Sequence, residues 1–381
     1  MTAIWCVLWM LATNEPTSQA SDEASTQSSV EPLAPSEPAQ ATPLVPGALP
    51  AWSFSTPAGS SNFKVKPGLD VFGWYTLRWT YPQAGGNEFF HRVDLGRGHA
   101  SLFAEWMGAR GRFVLEAVRS AAEGSWLGVA GDSLVLRARE AWAGYRYRDW
   151  LEGRFGVVPT LSIQVIESVW MLRAVSAVWL EQTQLLSPAD LGGTLVAALP
   201  WQLGWIGIGA YNGEGYNNRE LNRGKNVEVA LTVTPLATLG WHALEAHIAF
   251  VSGSQGVNAT RADRLTTTLL WRGATLRAGA TLTYGFGVDG RNAQQTFIVE
   301  GFTRYLLLQR VILGARVSHW QRDVHQRHDF VLSVLGSVGV AIVEPLELHL
   351  VLNRQFAGPL TRAALPGSDQ LEARFAARVV F

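Results

Sequence analysis

The stretch that decides the fold is Leu371-Glu-Ala-Arg-Phe-Ala-Ala-Arg-Val-Val-Phe381. Its odd-numbered residues are all apolar, whereas the even-numbered positions carry Glu372, Arg374 and Arg378. Side chains of a β-strand point alternately to opposite faces, so this stretch predicts a strand with one apolar and one polar face. Whether the apolar face meets a protein core or a lipid depends on the rest of the chain.

The bulk composition excludes helical membrane spans and favours strands. No segment of the 381 residues approaches the roughly 18–20 consecutive apolar residues that a membrane helix needs. A membrane strand needs only about 10 residues and exposes one apolar face, so a barrel is compatible with this composition. The 16 Trp and 38 Gly residues fit the aromatic girdles and tight hairpins of such a barrel.

The zero net charge hides an asymmetry along the chain. Residues 1–62 carry five acidic groups and no Lys or Arg, so residues 63–381 hold 31 basic and 26 acidic groups, a net charge of +5. Of the basic residues, 28 are Arg and three are Lys, namely Lys64, Lys66 and Lys225. The composition therefore predicts a mildly basic, arginine-rich body behind an acidic leader.

The leader divides into two segments. Residues 1–20 contain an apolar stretch from Ala3 to Ala12, typical of a secretion signal, with the single cysteine Cys6 inside it. Residues 21–62 are rich in Pro and Ser and predict a disordered linker. Residues 63–381 then form the barrel.

Segments with a period of two recur along the body. Leu346, Leu348 and Leu350, for example, alternate with Glu347 and His349. We predict an all-β fold, a transmembrane antiparallel β-barrel of about 16 strands. The predicted strands are 68–80, 91–106, 111–120, 133–147, 151–158, 190–199, 204–212, 225–235, 241–253, 264–272, 275–287, 293–306, 310–321, 328–343, 346–356 and 369–381.

The connections and prolines agree with this map. Short turns alternate with longer loops, as between the periplasmic and outer ends of a barrel. All nine prolines after Phe63 are expected at strand ends or in loops, because proline cannot donate to a ladder. A strand that ends on an aromatic carboxy-terminus, here Phe381, looks like the assembly signal of bacterial outer-membrane barrels.

The longest connection, from Pro159 to Asp190, is too apolar for a loop left in water. It combines many Ile, Val, Leu and Trp residues with three charged ones, Glu167, Arg173 and Glu181. We predict that this third outer loop folds into the lumen and narrows it, with part of it forming a short helix. The alternatives are a lid or a contact between subunits.

Two motif regions point to a family. Gly153-Arg154-Phe155-Gly156-Val157-Val158-Pro159, a long loop and then Asp190-Leu191-Gly192-Gly193 resemble the phosphate-selective porin O and P family, and Tyr211-Asn212-Gly213-Glu214-Gly215 is similar to that family's Asn-Gly-Glu-Gly stretch. The resemblance covers residues 65–381. It implies a sixteen-stranded, trimeric diffusion pore in the outer membrane with anion preference.

One departure from the family concerns the basic residues. Phosphate selectivity in that family is associated with clustered lysines, whereas this chain must supply positive charge with Arg. Guanidinium groups bind phosphate through two bonds at once, and tight contacts slow release from a channel. We therefore expect general anion preference, with phosphate or a similar ion left open.

The alternation also predicts which charged residues line the pore. A charge that faces lipid near the membrane midplane costs roughly 2–4 kcal/mol. Arginines that lie on the same face of a predicted strand as its polar residues should therefore point inward. Glutamates on the same strand faces should also point inward. Two interpretations of the pore lining therefore stay open: arginines and glutamates that neutralise one another, or a row of arginines that guides anions. The predicted pore-lining arginines are Arg112, Arg137, Arg139, Arg154, Arg277, Arg316, Arg374 and Arg378.

Three enzyme-like patterns are weaker. The serine esterase string Gly131-Asp132-Ser133-Leu134 lacks a later Asp-x-x-His. The dinucleotide spacing of Gly285, Gly287 and Gly290 is followed by a polar loop and a strand, not by a helix. His319, His325 and His328 have no carboxylate or thiolate spacing for a metal and are interpreted as solvated loop residues.

The sequence therefore predicts a passive outer-membrane channel for small anionic or polar solutes. Its expected partners are outer-membrane lipid, the solutes and two further copies in a homotrimer; no cofactor, metal or nucleic acid is expected, and no enzymatic activity. Two alternatives stay open: a barrel enzyme such as an esterase or phospholipase, and a structural barrel plugged by the long loop.

Overall fold

The computed structural model describes residues 63–82, 86–119, 134–218, 223–288 and 291–381. The predicted signal segment 1–20 and linker 21–62 lie outside these residues. So does most of the esterase-like string, of which only Leu134 is described, as the first residue of a strand.

Eighteen strands are present among the described residues. Two of them, β10 and β11, form a small hairpin of their own, and the other sixteen form the barrel. The strands are β1 Lys64–Thr80, β2 Glu88–Trp106, β3 Ala109–Arg119, β4 Leu134–Arg148, β5 Leu151–Pro159, β6 Ala189–Ala198, β7 Gly204–Tyr211, β8 Asn226–Val233, β9 Leu244–Ser252, β10 Ser254–Gln255, β11 Thr260–Arg261, β12 Asp263–Arg272, β13 Leu276–Val288, β14 Arg291–Leu307, β15 Val311–Gln321, β16 Phe330–Val343, β17 Leu346–Ala357 and β18 Gln370–Val380.

The sheet is antiparallel throughout and closes on itself. Each barrel strand pairs with its neighbours along the chain, and β18 pairs with β1 over the register from Asp70↔Val380 to Thr80↔Gln370. Beyond that ladder, Leu69 and Phe381 exchange two backbone hydrogen bonds of 3.0 and 2.8 Å. The predicted closed sixteen-stranded antiparallel barrel is confirmed, and closure removes every edge that the sheet would otherwise expose.

The two faces of the wall differ in chemistry. In β8, Asn226 and Glu228 are buried while Val227 and Val229 are exposed. We call the buried, mostly polar side the inner face and the exposed, apolar side the outer face. On the outer face the cross-strand partners Leu350 and Phe375 are 62% and 49% exposed. This pattern is the alternation read from the sequence, and it gives the barrel an apolar belt.

One proline departs from the prediction. Pro67 lies inside β1, opposite Leu102 of β2, and not at a strand end. The ladder between β1 and β18 begins only at Asp70, so Pro67 lies in the part of β1 that is paired on one side. A proline is tolerated there because its missing N–H leaves no broken ladder bond.

The described residues also include three short α-helices and two single 3₁₀ turns. Two of the helices belong to the connection between β5 and β6, which we call the 160–188 segment. No described helix is long and apolar enough to cross a membrane. The helices are α1 Leu161–Trp170, α2 Trp179–Gln182 and α3 Pro359–Ala364, and the 3₁₀ turns are Pro200–Gln202 and Ala237–Leu239. The predicted short helix in this connection is confirmed.

Candidate functional site

The 160–188 segment is fixed to the wall at the beginning of α1. Thr160 occupies the N-cap position but makes no side-chain cap, so the free amides of the first turn need another acceptor. Glu228 of β8 supplies it: its carboxylate accepts from Leu161 N at 2.9 Å, from Ser162 N at 3.0 Å and from Ser162 Oγ at 2.6 Å. Tyr211 of β7 donates to the same carboxylate at 2.9 Å. A negative charge at a helix amino-terminus is stabilised by these amides and by the helix dipole.

Three further hydrogen bonds fix the rest of the segment to other strands. Arg277 of β13 donates to Ser168 O at 3.0 Å, near the end of α1. Trp74 of β1 donates to Ala174 O at 2.8 Å, and Arg316 of β15 donates to Ala177 O at 2.6 Å. The donors belong to strands far apart around the barrel. The segment therefore has contacts on several sides of the wall.

The apolar residues of the segment form the main hydrophobic cluster of the molecule. Ile163, Ile166 and Val169 are completely buried, and they belong to one cluster with wall residues such as Ile298 and Phe302. Trp170 packs edge-on against Phe302 with ring centroids 5.8 Å apart. Apolar residues cover most of α1 and are buried, while Gln164 and Glu167 are only partly buried; this accounts for the lack of clean periodicity in this part of the sequence.

The three charged residues predicted for the constriction lie together. Arg173 forms ion pairs with Glu167 and, at 2.6 Å, with Glu181. Two arginines of the wall complete the network: Arg139 of β4 lies 3.5 Å from Glu167, and Arg97 of β2 lies 3.3 Å from Glu181. The structure thus brings Glu167, Arg173 and Glu181 into one charged network with the β2–β4 wall.

Burial and charge shift the pKa values in this network. Burial on its own would raise the pKa of Glu181, but the neighbouring Arg173, Arg97 and Arg139 hold it down at about 2. Burial lowers the pKa of Arg173 to about 10, and the nearby Arg139 acts in the same direction. Both groups are charged at neutral pH, so the network is ionic under ordinary conditions.

Most of the eight predicted arginines lie close to a carboxylate. Seven of them have a carboxylate oxygen within 4 Å, and only Arg277 has none among the described residues. The pairs are Arg112–Glu140 at 3.6 Å, Arg137–Glu116 at 2.7 Å, Arg139–Glu167 at 3.5 Å, Arg154–Glu152 at 2.8 Å, Arg316–Glu300 at 3.7 Å, Arg374–Glu372 at 2.5 Å and Arg378–Asp70 at 2.8 Å.

A cavity of about 510 Å³ lies between the 160–188 segment and the wall. Its wall side comes from β1–β4 and β18, and its other side from α1 and the residues after it. Five basic and three acidic side chains line it, so the side chains carry two more positive than negative charges. The basic residues are Lys66, Arg112, Arg139, Arg173 and Arg378, and the acidic residues are Asp70, Glu140 and Glu167.

The family-like motifs are brought together at one place in the structure. Gly156 and Gly192 are direct partners on β5 and β6. A Cβ at Gly156 would meet Ala141 O at 2.3 Å and would need a φ of +122°, so no other residue fits. Asp190 accepts from Gly213 N at 2.7 Å, and the Glu214 carboxylate accepts from Gly256 N at 2.9 Å. These residues hold the end of the 160–188 segment and the adjoining loops in place.

The structure gives no support to the enzyme-like and metal-like patterns. Gly285 and Gly287 belong to β13, and the next described element is the strand β14, so no helix amino-terminus faces them. His319 lies on β15 and stacks on Phe330 at 5.8 Å. Among the described residues no group of three His, Cys, Asp or Glu side chains is placed to hold a metal ion.

The sequence reasoning missed Arg97, which belongs to the charged network, and Glu140, which lines the cavity. The register of β1 with β2 shifts by one residue at Phe72/Gly73, and that of β3 with β4 shifts at Val114/Leu115. A bulge of this kind changes which face the next side chains occupy. Counting odd and even positions along the strand therefore assigns the residues beyond the bulge to the wrong face. A sequence signal for the first bulge is Gly96, which directly precedes Arg97.

The fold and the cavity define the class of protein. A closed barrel with an apolar outer belt and a polar inner face spans the outer membrane of bacteria. The chain therefore lies in the bacterial outer membrane, and its sixteen-stranded barrel has the architecture of porins.

Comparison with solved structures agrees with the fold. Salmonella typhi OmpF, solved with daunomycin, superposes with a TM-score of 0.62 at 11% identity over 86% of this chain and 100% of its own. An anion-selective porin from Comamonas acidovorans gives 0.57 at 12% identity over 84% and 100%, and the Acinetobacter baumannii channel DcaP gives 0.54 at 10% over 85% and 100%. No family model and no curated protein matches the chain.

Proposed function

We propose that the protein is an outer-membrane porin, a passive diffusion channel for small solutes with a preference for anions. The observation that carries this proposal is the cavity beside the 160–188 segment, whose lining side chains carry two more positive than negative charges. Solutes in such a channel interact with fixed charges and with the pore walls, and no covalent chemistry is involved.

The second part of the proposal is that the 160–188 segment lies across the lumen and forms the constriction. Its hydrogen bonds and ion pairs reach at least seven strands, β1, β2, β4, β8, β9, β13 and β15. A segment outside the barrel does not contact inner-face side chains on so many strands. The remaining open path then runs between α1 and the wall of β1–β4 and β18.

The anion preference is expected to be modest. Most of the arginines are neutralised by a carboxylate, which weakens their attraction for a passing ion. Arg112 is the least constrained of the cavity arginines, because its side chain is 28% exposed and lies 3.6 Å from Glu140. We therefore propose general selection for small anions. The resemblance to the porin O and P family leaves phosphate or a similar ion as one candidate solute, and the Comamonas neighbour is itself described as anion-selective.

Swelling of proteoliposomes tests the anion preference. The wild type should admit small anionic solutes faster than cationic solutes of equal size. Arg112→Gln should reduce this ratio by about two-fold or more, because it removes a cavity charge. Arg354→Gln is the matched control, since Arg354 is paired with Asp369 at 2.7 Å and does not line the cavity. Faster uptake of cations by the wild type would refute the proposal.

We further propose that three copies assemble into a trimer through the outer face of β2–β4. Small residues are frequent there among larger ones such as Leu102 and Phe113, and small side chains let neighbouring walls approach closely in a membrane. They include Gly98, Ala100, Ala104, Gly111, Ala117, Ala138, Ala141 and Ala143. Light scattering of the protein in detergent should give the mass of three chains; the mass of a single chain would contradict this assembly.

A further inference from the structure

Arg304 is a buried cation that forms no ion pair with any of the described residues. It belongs to β14, its side chain is on the inner face, and the residue is only 4% exposed. Its Nε and Nη2 atoms are buried and have no hydrogen-bond partner among the described residues. An isolated buried charge is costly, and proteins pair it with an opposite charge or with a bound ion.

A second arginine faces the same place. Arg277 of β13 is the direct cross-strand partner of Arg304. It donates from Nη1 to Ser168 O, but its Nε is also buried and unpaired among the described residues. Two like charges directly opposite each other on neighbouring strands destabilise a sheet. The pair therefore concentrates positive charge and unused N–H donors at one point of the wall.

The acidic residues in this part of the barrel are already engaged. Glu245 is paired with Arg272 at 2.7 Å. Glu347 lies 3.3 Å from Arg378 and 3.3 Å from His349. None of the carboxylates in the described part of the chain forms an ion pair with Arg277 or Arg304, and Glu245 and Glu347 act on these guanidinium groups only from a greater distance.

We propose that Arg277 and Arg304 form a binding site for a small oxyanion of the sulfate or phosphate class. Guanidinium groups present planar forks of N–H donors that match the oxygens of such an ion, and a doubly charged ion would neutralise both arginines. The site is separate from the cavity described above, which neither arginine lines. It does not rest on the proposed channel activity, because the buried charge needs a counter-ion whatever the pore conducts.

Thermal unfolding with sulfate as the probe tests this site. The detergent-solubilised protein is titrated with sulfate against gluconate at constant ionic strength. The wild type should show a saturable rise in apparent Tm of about 3 °C or more, because binding to the folded state stabilises it. Arg304→Met should lose the saturable rise. In sulfate-free buffer its Tm should equal or exceed that of the wild type, since it removes an unpaired buried charge.

Two controls separate this effect from others. Sulfate also stabilises proteins in general by exclusion from their surface, an effect that does not saturate and should be equal in Arg354→Gln and in the wild type. If Arg304→Met does not fold, Arg277→Met replaces it with the same expectation of a lost saturable rise.

Crystals soaked in selenate should show an anomalous peak between the two guanidinium groups. A wild type without a saturable rise, or an Arg304→Met variant that keeps it, would overturn the proposal.

Discussion

At the residue scale, the inner face shows what a charged side chain needs when it leaves water. Glu228 is 1% exposed and is stable there because four N–H and O–H donors converge on its carboxylate. Parity in the sequence places Glu228 on the inner face, but its partners could not be predicted. Two of them, Leu161 and Ser162, lie more than sixty residues away in a segment without a regular pattern.

Replacing Glu228 tests this anchoring. Glu228→Gln keeps one acceptor oxygen but turns an NH₂ group toward donors, so the beginning of α1 should lose part of its attachment. We expect a loss of about 2–4 kcal/mol in stability and more current noise in single-channel records, because the segment moves more. Glu245→Gln on the adjacent strand is the control, since Glu245 pairs with Arg272 and not with the segment. Equal noise in both variants would contradict this role.

Acid should weaken the attachment of the segment through Glu181. Its pKa is lower in the folded state than in the unfolded chain, so its stabilising contribution is fully present above about pH 4.5. It is lost as the pH falls through about 2. Urea unfolding should therefore show a stability loss between these values that is smaller in Glu181→Gln. Glu88→Gln, at an exposed position in β2, should keep the wild-type loss. A wild-type acid loss in Glu181→Gln would contradict the assignment.

At the element scale, the strands could be predicted because lipid on one side and polar groups on the other impose a period of two. The count of sixteen barrel strands follows from that pattern. The bulges could not be predicted, because one extra residue in β2 or β4 changes the face of all that follow. The 160–188 segment is the opposite case: apolar residues cover most of α1, so periodicity carries little information about its place.

Deleting residues 163–186 tests whether the segment is the constriction. The ends at Thr160 and Pro188 are already joined by a backbone hydrogen bond of 3.1 Å, so a short connection fits between β5 and β6. The conductance should rise several-fold, because the segment no longer occupies the lumen. The control deletes residues 325–327 in the loop between β15 and β16, and its conductance should stay near that of the wild type. An unchanged conductance in the 163–186 deletion would reject the constriction.

At the scale of the whole molecule, the cavity is a product of closure. Asp70 and Arg378 line it together although 308 positions separate them in sequence, and their ion pair at 2.8 Å forms because β1 pairs with β18. The individual arginines were visible in the sequence. Their carboxylate partners, and with them the small surplus of positive charge, depend on the register of strands that only the folded barrel fixes.

The most direct test of the account is a reversal potential in planar bilayers. The purified protein is inserted and a ten-fold gradient of KCl is imposed across the membrane. An anion-preferring porin gives discrete conductance steps and a reversal potential of the sign that chloride preference produces. A potential of the opposite sign would contradict the anion preference, and correctly folded protein that gives no conductance would contradict the channel itself and favour a plugged structural barrel.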